Sequence, residues 1–367
     1  MPTTLVVTND FPPRIGGIEA FVAQVCELLD DVVVLTREHP QADDRAYAFP
    51  VHRRGRLLLP GPDVLRAARS LLARHGATRV VFGAAAPLGL LAAPLRRSGA
   101  TLQLAISHGH ETWWARVPGP SRSVLRRIGD QVDAVSYISE HTRALIAPAL
   151  TPAARTAMVR LAPPVDTARF HPGAASPPDR PTALAAGRFV ARKGFDTLLE
   201  AWATVLDAWP GVPLPHLVVV GDGPLRDRLL ARARALRQPG TVRFTGPVSH
   251  AAMPALMAGA HVFALPVRPR LGGLDAEGLG MVYAESAACG LAVIAGDSGG
   301  TRDTLVPGES GVLIPPDDPT ALATVLLDLL TDLPRARAMG MAGRAHVERR
   351  FSPTTTAAIL RQVLDLG

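Results

Sequence analysis

Two carboxylates eight positions apart, Glu277 and Glu285, punctuate a glycine-rich stretch at 271–285, L-G-G-L-D-A-E-G-L-G-M-V-Y-A-E. Gly278 and Gly280 are read as opening a helix over 278–289, so the amides of Gly278, Leu279, Gly280 and Met281 stand at its positive end. Unhindered N–H groups there make an anion site suited to a phosphate. At 1.5 Å per residue, eight helical residues span about 12 Å, beyond the roughly 5–9.5 Å of a glycosidase acid pair. The two acids instead suit opposite ends of a nucleotide sugar, with Glu277 at the sugar, Glu285 at the ribose and the phosphates between.

Such a donor needs cations. One lysine, Lys193, stands against 38 arginines, which marks a place where a compact ammonium serves and a planar fork does not. Arg188 and Lys193 lie five apart in R-F-V-A-R-K, on a loop entering a helix, and together could neutralise a departing diphosphate. Gly16-Gly17 opens another helix and is a weaker phosphate cradle. It lacks the G-x-G-x-x-G spacing, which disfavours a nicotinamide enzyme. His108 and His110, with Glu111, Trp113 and Trp114 close behind, follow a strand-like run, where an imidazole can meet a sugar hydroxyl. No D-x-D pair is present and Asp275-x-Glu277 only approximates one, so no metal is expected. Gly296-Asp297-Ser298-Gly299-Gly300 matches a nucleophile-elbow pattern, with Asp317 or Asp318 and His346 as partners, and leaves a Ser298 hydrolase as a remote alternative.

The elements must bring these residues together. Apolar runs of strand length at 4–8, 32–36, 80–83, 101–107, 134–139 and 158–161 alternate with helical patterns. A second series, at 183–187, 217–221, 242–245, 262–266, 291–295 and 312–315, follows a Pro/Gly/Ser-rich stretch at 171–181. The alternation predicts an α/β chain with two doubly wound Rossmann-like domains facing across a cleft. They comprise residues 1–170 and 183–350, with a linker at 171–182 and a tail, 351–367, packing back on the first. The chemistry-bearing residues all follow strands, where open α/β sheets take ligands.

Of the net charge of +7, residues 1–170 carry +6. Seven arginines between Val51 and Arg79, among them Arg53, Arg54 and Arg56, face one acid, Asp63, and alternate with leucines. With Trp113 and Trp114 in the same half, this suits anionic lipid head groups; nucleic acid is the less favoured partner, because aromatics do not interleave the arginines. The start reads as a strand rather than a leader, and no run is long enough to span a membrane. Cys26 and Cys289 give neither a disulfide framework nor a metal spacing, which fits a reducing cytoplasm.

Taken together, Glu277-x7-Glu285, Arg188 to Lys193, V-V-G-D-G-P at 219–224 and F-T-G-P-V at 244–248 resemble the retaining family 4 glycosyltransferases of the GT-B fold. T-N-D-F-P-P-R-I-G-G-I-E at 8–19, F-G-A-A-A-P-L-G at 82–89 and H-G-H-E-T-W-W at 108–114 are similar, more narrowly, to the GDP-mannose-dependent phosphatidylinositol monomannoside mannosyltransferases. The resemblance implies catalytic roles for His108, Arg188, Lys193 and Glu277. It implies that Gly16-Gly17 meets the β-phosphate, that backbone near Val248 reads guanine, that Glu285 holds the ribose, and that Glu277 with the 278–281 amides holds mannose. His110, Trp113, Trp114, Arg53, Arg54 and Arg56 become acceptor or lipid candidates. The implied activity needs no cofactor or metal and transfers mannose from GDP-mannose to an inositol lipid in α-1,6 linkage. It is peripheral on the inner face of the plasma membrane; another sugar nucleotide or acceptor is the alternative.

Overall fold

Runs such as Leu5–Val7 and Val32–Leu35 are apolar at every position, the pattern of strands covered on both faces. In the computed structural model, which describes residues 3–14, 16–109, 111, 115, 119–175 and 178–364, they form the centre of a parallel sheet. The chain divides into two compact units, Met1–Pro164 with Pro353–Gly367, and Val165–Ser352.

In the first unit, strands β1 (Thr4–Val7), β2 (Val32–Thr36), β3 (Val51–Arg53), β4 (Arg79–Phe82), β5 (Leu102–Ala105), β6 (Ala134–Tyr137) and β7 (Met158–Arg160) lie in the order β3-β2-β1-β4-β5-β6-β7. All pairs are parallel. Leu5, Val7, Val80 and Phe82 bury one face against the helix Pro62–His75. Val6, Val34, Val81 and Leu104 bury the other against the helix Gly17–Glu27. Leu360 and Leu364 join that second face, so the C-terminal helix Pro353–Val363 completes the core of the unit that begins the chain. β3 carries no strand signal in the sequence, because V-H-R is a half-buried edge triplet inside the arginine-rich run. Pairing with β2 holds it, with Val51 packed against the second face's core.

The second unit repeats the arrangement with β8 (Thr182–Ala186), β9 (His216–Val220), β10 (Val242–Gly246), β11 (Val262–Leu265), β12 (Ala292–Gly296) and β13 (Gly311–Ile314), ordered β10-β9-β8-β11-β12-β13. Strand order reverses between β8 and β11, which are hydrogen-bonded neighbours. Loops leaving the two strands therefore diverge around a crevice. This unit begins at Val165, ahead of the expected linker at 171–182 and of the expected domain start at 183. Arg344 on the helix Leu333–Arg350 donates to the carbonyls of Phe170 and Ala288 at 3.2 and 2.7 Å, and ties 165–170 to this unit. Among the described residues no helix is long and apolar enough to cross a membrane.

Candidate functional site

The loop after β8 carries Arg188, Arg192 and Lys193, and the loop after β11 carries Asp275 and Glu277. Lys193 is fixed by a tight turn. Gly194 has φ 69°, and a Cβ there would lie 2.0 Å from the Pro266 carbonyl oxygen, so β8's loop meets β11's loop backbone to backbone. Arg268 locks the same turn from the other side. Its Nε donates to the Ala191 carbonyl at 2.8 Å, its N–H donates to the Arg192 carbonyl at 2.8 Å, and its guanidinium bonds Asp196 at 2.9 Å and Asp317 at 2.6 Å.

The turn presents two cations to one carboxylate oxygen. Lys193 Nζ and Arg192 Nη1 each donate to Glu277 Oε2 at 2.7 Å, and Arg192 Nε also lies 3.4 Å from Asp275. Glu277's side chain is 12% exposed. Burial pushes its carboxyl up, yet Lys193 and Arg192 outweigh burial and hold it below the usual carboxylate range. Its backbone is equally constrained. Gly300 N–H donates to the Glu277 carbonyl at 2.8 Å, and Gly299, at φ 63°, approaches so closely that a Cβ would lie 2.0 Å from that oxygen.

The helix expected over 278–289 is shorter. It spans Met281–Ala288, with Gly280 at φ 87° as N-cap and no side-chain cap, because Gly280's left-handed backbone interrupts the turn before it. Glu277 thus lies on the loop, so a helical rise does not set its separation from Glu285. Tyr283 anchors this helix through its hydroxyl, which donates to the Leu265 carbonyl at 2.7 Å. Glu285 is turned toward His250, at 3.6 Å. Arg188, Lys193, Asp222, Val248 and Val282 line a cavity of about 340 Å³ beyond β8, β9 and β10. Arg188 is exposed and has no side-chain partner among the described residues.

In the N-terminal unit, Gly16 caps the helix Gly17–Glu27 without a side-chain bond, and the buried Glu19 carboxylate folds back over it to meet Arg14 at 3.1 Å. His108 follows β5. Its Nε2–H donates to the Gly83 carbonyl, its ring sits edge-on to Phe21, and the fully buried Glu111 accepts from its backbone N–H at 3.1 Å. A carbonyl only accepts, so Nε2 carries the proton. His110, Trp113 and Trp114 lie outside the described residues.

The lipid-surface expectation for Arg53 is corrected. Its side chain is 10% exposed and bonds Asp44 at 2.8 Å and the carbonyls of Arg37 and Pro12, so it braces loops rather than facing outward. Arg54 is exposed and paired with Asp63; Arg56 is exposed. Ser298 is likewise corrected as a nucleophile: it is 2% exposed, its N–H donates to Thr301, and the glycines beside it serve Glu277. Arg192 and Arg268 are the functional residues the sequence reading missed. Arg192 had a visible signal, its place beside the lone lysine; Arg268 had none.

Residues 166–346 match the family model described as glycosyl transferases group 1. The chain is 40% identical to a GDP-mannose-dependent alpha-(1-6)-phosphatidylinositol monomannoside mannosyltransferase of Mycobacterium tuberculosis, covering 99% of this chain and 98% of that one. It is 38% identical to a GDP-mannose-dependent monoacylated alpha-(1-6)-phosphatidylinositol monomannoside mannosyltransferase of Corynebacterium glutamicum, covering 95% and 94%. Among solved structures, the sucrose-phosphate synthase of Thermosynechococcus elongatus shares the fold, with a TM-score of 0.76 at 23% identity over 99% of this chain and 98% of that one.

Proposed function

The chain belongs to the group 1 glycosyl transferases, and on that footing we propose that it transfers mannose from GDP-mannose to a phosphatidylinositol monomannoside-type lipid with retained configuration. The observation that carries this reading is the convergence of Lys193 and Arg192 on Glu277, beside the cavity that Arg188, Lys193 and Val248 line. Full-length likeness to enzymes named for this donor and acceptor supports it. Arg188 and Lys193 take the diphosphate, Val248 borders the base, and Glu277 takes the sugar. As the bond from the anomeric carbon to the phosphate oxygen breaks, the acceptor hydroxyl bonds that carbon from the same face. Its proton passes to the departing phosphate oxygen, whose charge the two cations stabilise. Glu277 positions the sugar and forms no bond to it.

For the acceptor side, the surface around β3 supports a peripheral contact with an anionic leaflet at the cytoplasmic face. Leu57 and Leu59 are 54% and 57% exposed between Arg56 and the helix Pro62–His75. In the same unit, a cavity of about 370 Å³ is lined by Arg53, Arg54, Arg66 and Arg74. The test is incubation with labelled GDP-mannose and inositol lipids bearing no, one or two mannoses, with and without EDTA. The expected product is a two-mannose lipid from the one-mannose acceptor, formed equally in EDTA; labelling of another acceptor alone, or from UDP-sugars alone, overturns the assignment.

A further inference from the structure

Lys193 and Arg192 share one oxygen of Glu277 but are held differently. Lys193 lines the cavity assigned to the donor, and its ammonium sits on a flexible four-carbon stem. Arg192 is not among the residues lining that cavity. It has a second anchor in Asp275 at 3.4 Å, and the Arg268 N–H holds its carbonyl at 2.8 Å. One cation can swing to an arriving diphosphate; the other cannot follow it.

Resting on the donor assignment above, we propose that Arg192 is a positioning residue that keeps Glu277 ionised and in place when Lys193 turns from it to the donor diphosphate. A carboxylate buried to this degree is costly without a cation. With Lys193 as sole partner, donor binding would have to strip Glu277 of its charge balance or leave the diphosphate short of a cation. Arg192 removes that conflict, and Gly300's bond to the Glu277 carbonyl keeps the carboxylate aimed while the partner changes. The charged or titratable groups facing Glu277 are Lys193, Arg192 and Asp275, with Tyr283, whose hydroxyl burial keeps neutral.

The test is calorimetric binding of GDP-mannose to wild type, Arg192→Gln and Arg192→Lys, from about pH 8 to about pH 5.5, in buffers of different ionisation enthalpy. Arg192→Gln is expected to bind roughly tenfold or more weakly near neutrality, as for a lost charged hydrogen bond. Its affinity should recover as the pH falls, with a proton taken up on binding, because a protonated Glu277 releases Lys193 at no charge cost. His250, beside Glu285, is common to wild type and both variants. Arg192→Lys keeps a cation but cannot span Glu277 and Asp275, and should fall between the two. If Arg192→Gln does not fold, Arg192→Lys decides alone. A variant that binds like wild type, or more weakly by a pH-independent factor without proton uptake, overturns the proposal. A wild type that binds only a UDP-sugar overturns the donor reading alone, and the comparison is then made with that sugar; a wild type that binds no sugar nucleotide overturns both.

Discussion

Lys193 illustrates how much one side chain can owe to its neighbours. Its ammonium reaches Glu277 only because Gly194 lets the chain turn against Pro266. Lys193→Ala should lower turnover by two or more orders of magnitude, the size of a lost charge-stabilising contact, while leaving the fold intact by circular dichroism. Wild-type-like turnover would remove the diphosphate role. Gly299→Ala probes the same carboxylate from behind. Its methyl group would have to displace the Glu277 carbonyl and hold a left-handed backbone at once, so both activity and melting temperature should fall. Glu277 also links stability to pH. Its carboxyl is held low in the folded chain, so its contribution is complete above the unfolded value of about 4.3 and declines as pH falls through the folded one. Chemical denaturation at pH 7 and below pH 4 should show a smaller acid loss for Glu277→Gln than for wild type; equal losses would mean that Glu277 is not the coupled group.

At the scale of elements, the sequence told most where a strand is apolar throughout. Strands β8 and β12 were placed to within a residue because T-A-L-A-A and A-V-I-A-G are buried at every position. Periodicity also located the loops that bear Arg188, Lys193 and Glu277, since ligand loops follow strand ends. What it did not give was the helix start at Met281: Gly278 and Gly280 signal a helix terminus without saying which of them adopts the left-handed backbone. Nor did it separate Arg53 from Arg54. The two are adjacent in sequence, but one points to Asp44 and the other to Asp63, a difference made by strand pairing. Arg268 was illegible for a similar reason, because its partners Ala191, Asp196 and Asp317 are distant along the chain. Arg268→Ala should release the 191–194 turn and leave Asp196 without its cation. The expected outcome is a several-fold higher KM for the donor with a drop of a few degrees in melting temperature. An unchanged KM would show that the turn holds without it.

At the scale of the whole molecule, charge is distributed unevenly. The excess of +6 within residues 1–170 belongs to the unit whose β3 loop exposes Leu57 and Leu59, while the unit that carries Glu277 is close to neutral. That loop is not free to collapse on its own unit. Asn9 clamps Leu58 by two hydrogen bonds, its Nδ2 donating to the Leu58 carbonyl at 2.9 Å and its Oδ1 accepting from the Leu58 N–H at 2.8 Å, and this splays the flanking leucines outward. Basic groups near an anionic leaflet contribute about 1 kcal/mol each, screened within a Debye length, whereas buried leucines contribute in any salt. The two contributions therefore separate by experiment. Sedimentation with vesicles containing phosphatidylinositol should show binding by wild type that weakens as salt rises. Arg56→Glu should lower it mainly at low salt, and Leu57→Ser with Leu59→Ser should lower it at every salt concentration. Turnover on a short-chain, water-dispersed acceptor should stay near wild type in the leucine variant, since neither leucine belongs to the donor site or to the acceptor candidates. Equal vesicle binding by wild type and the leucine variant would place the lipid contact elsewhere on the chain.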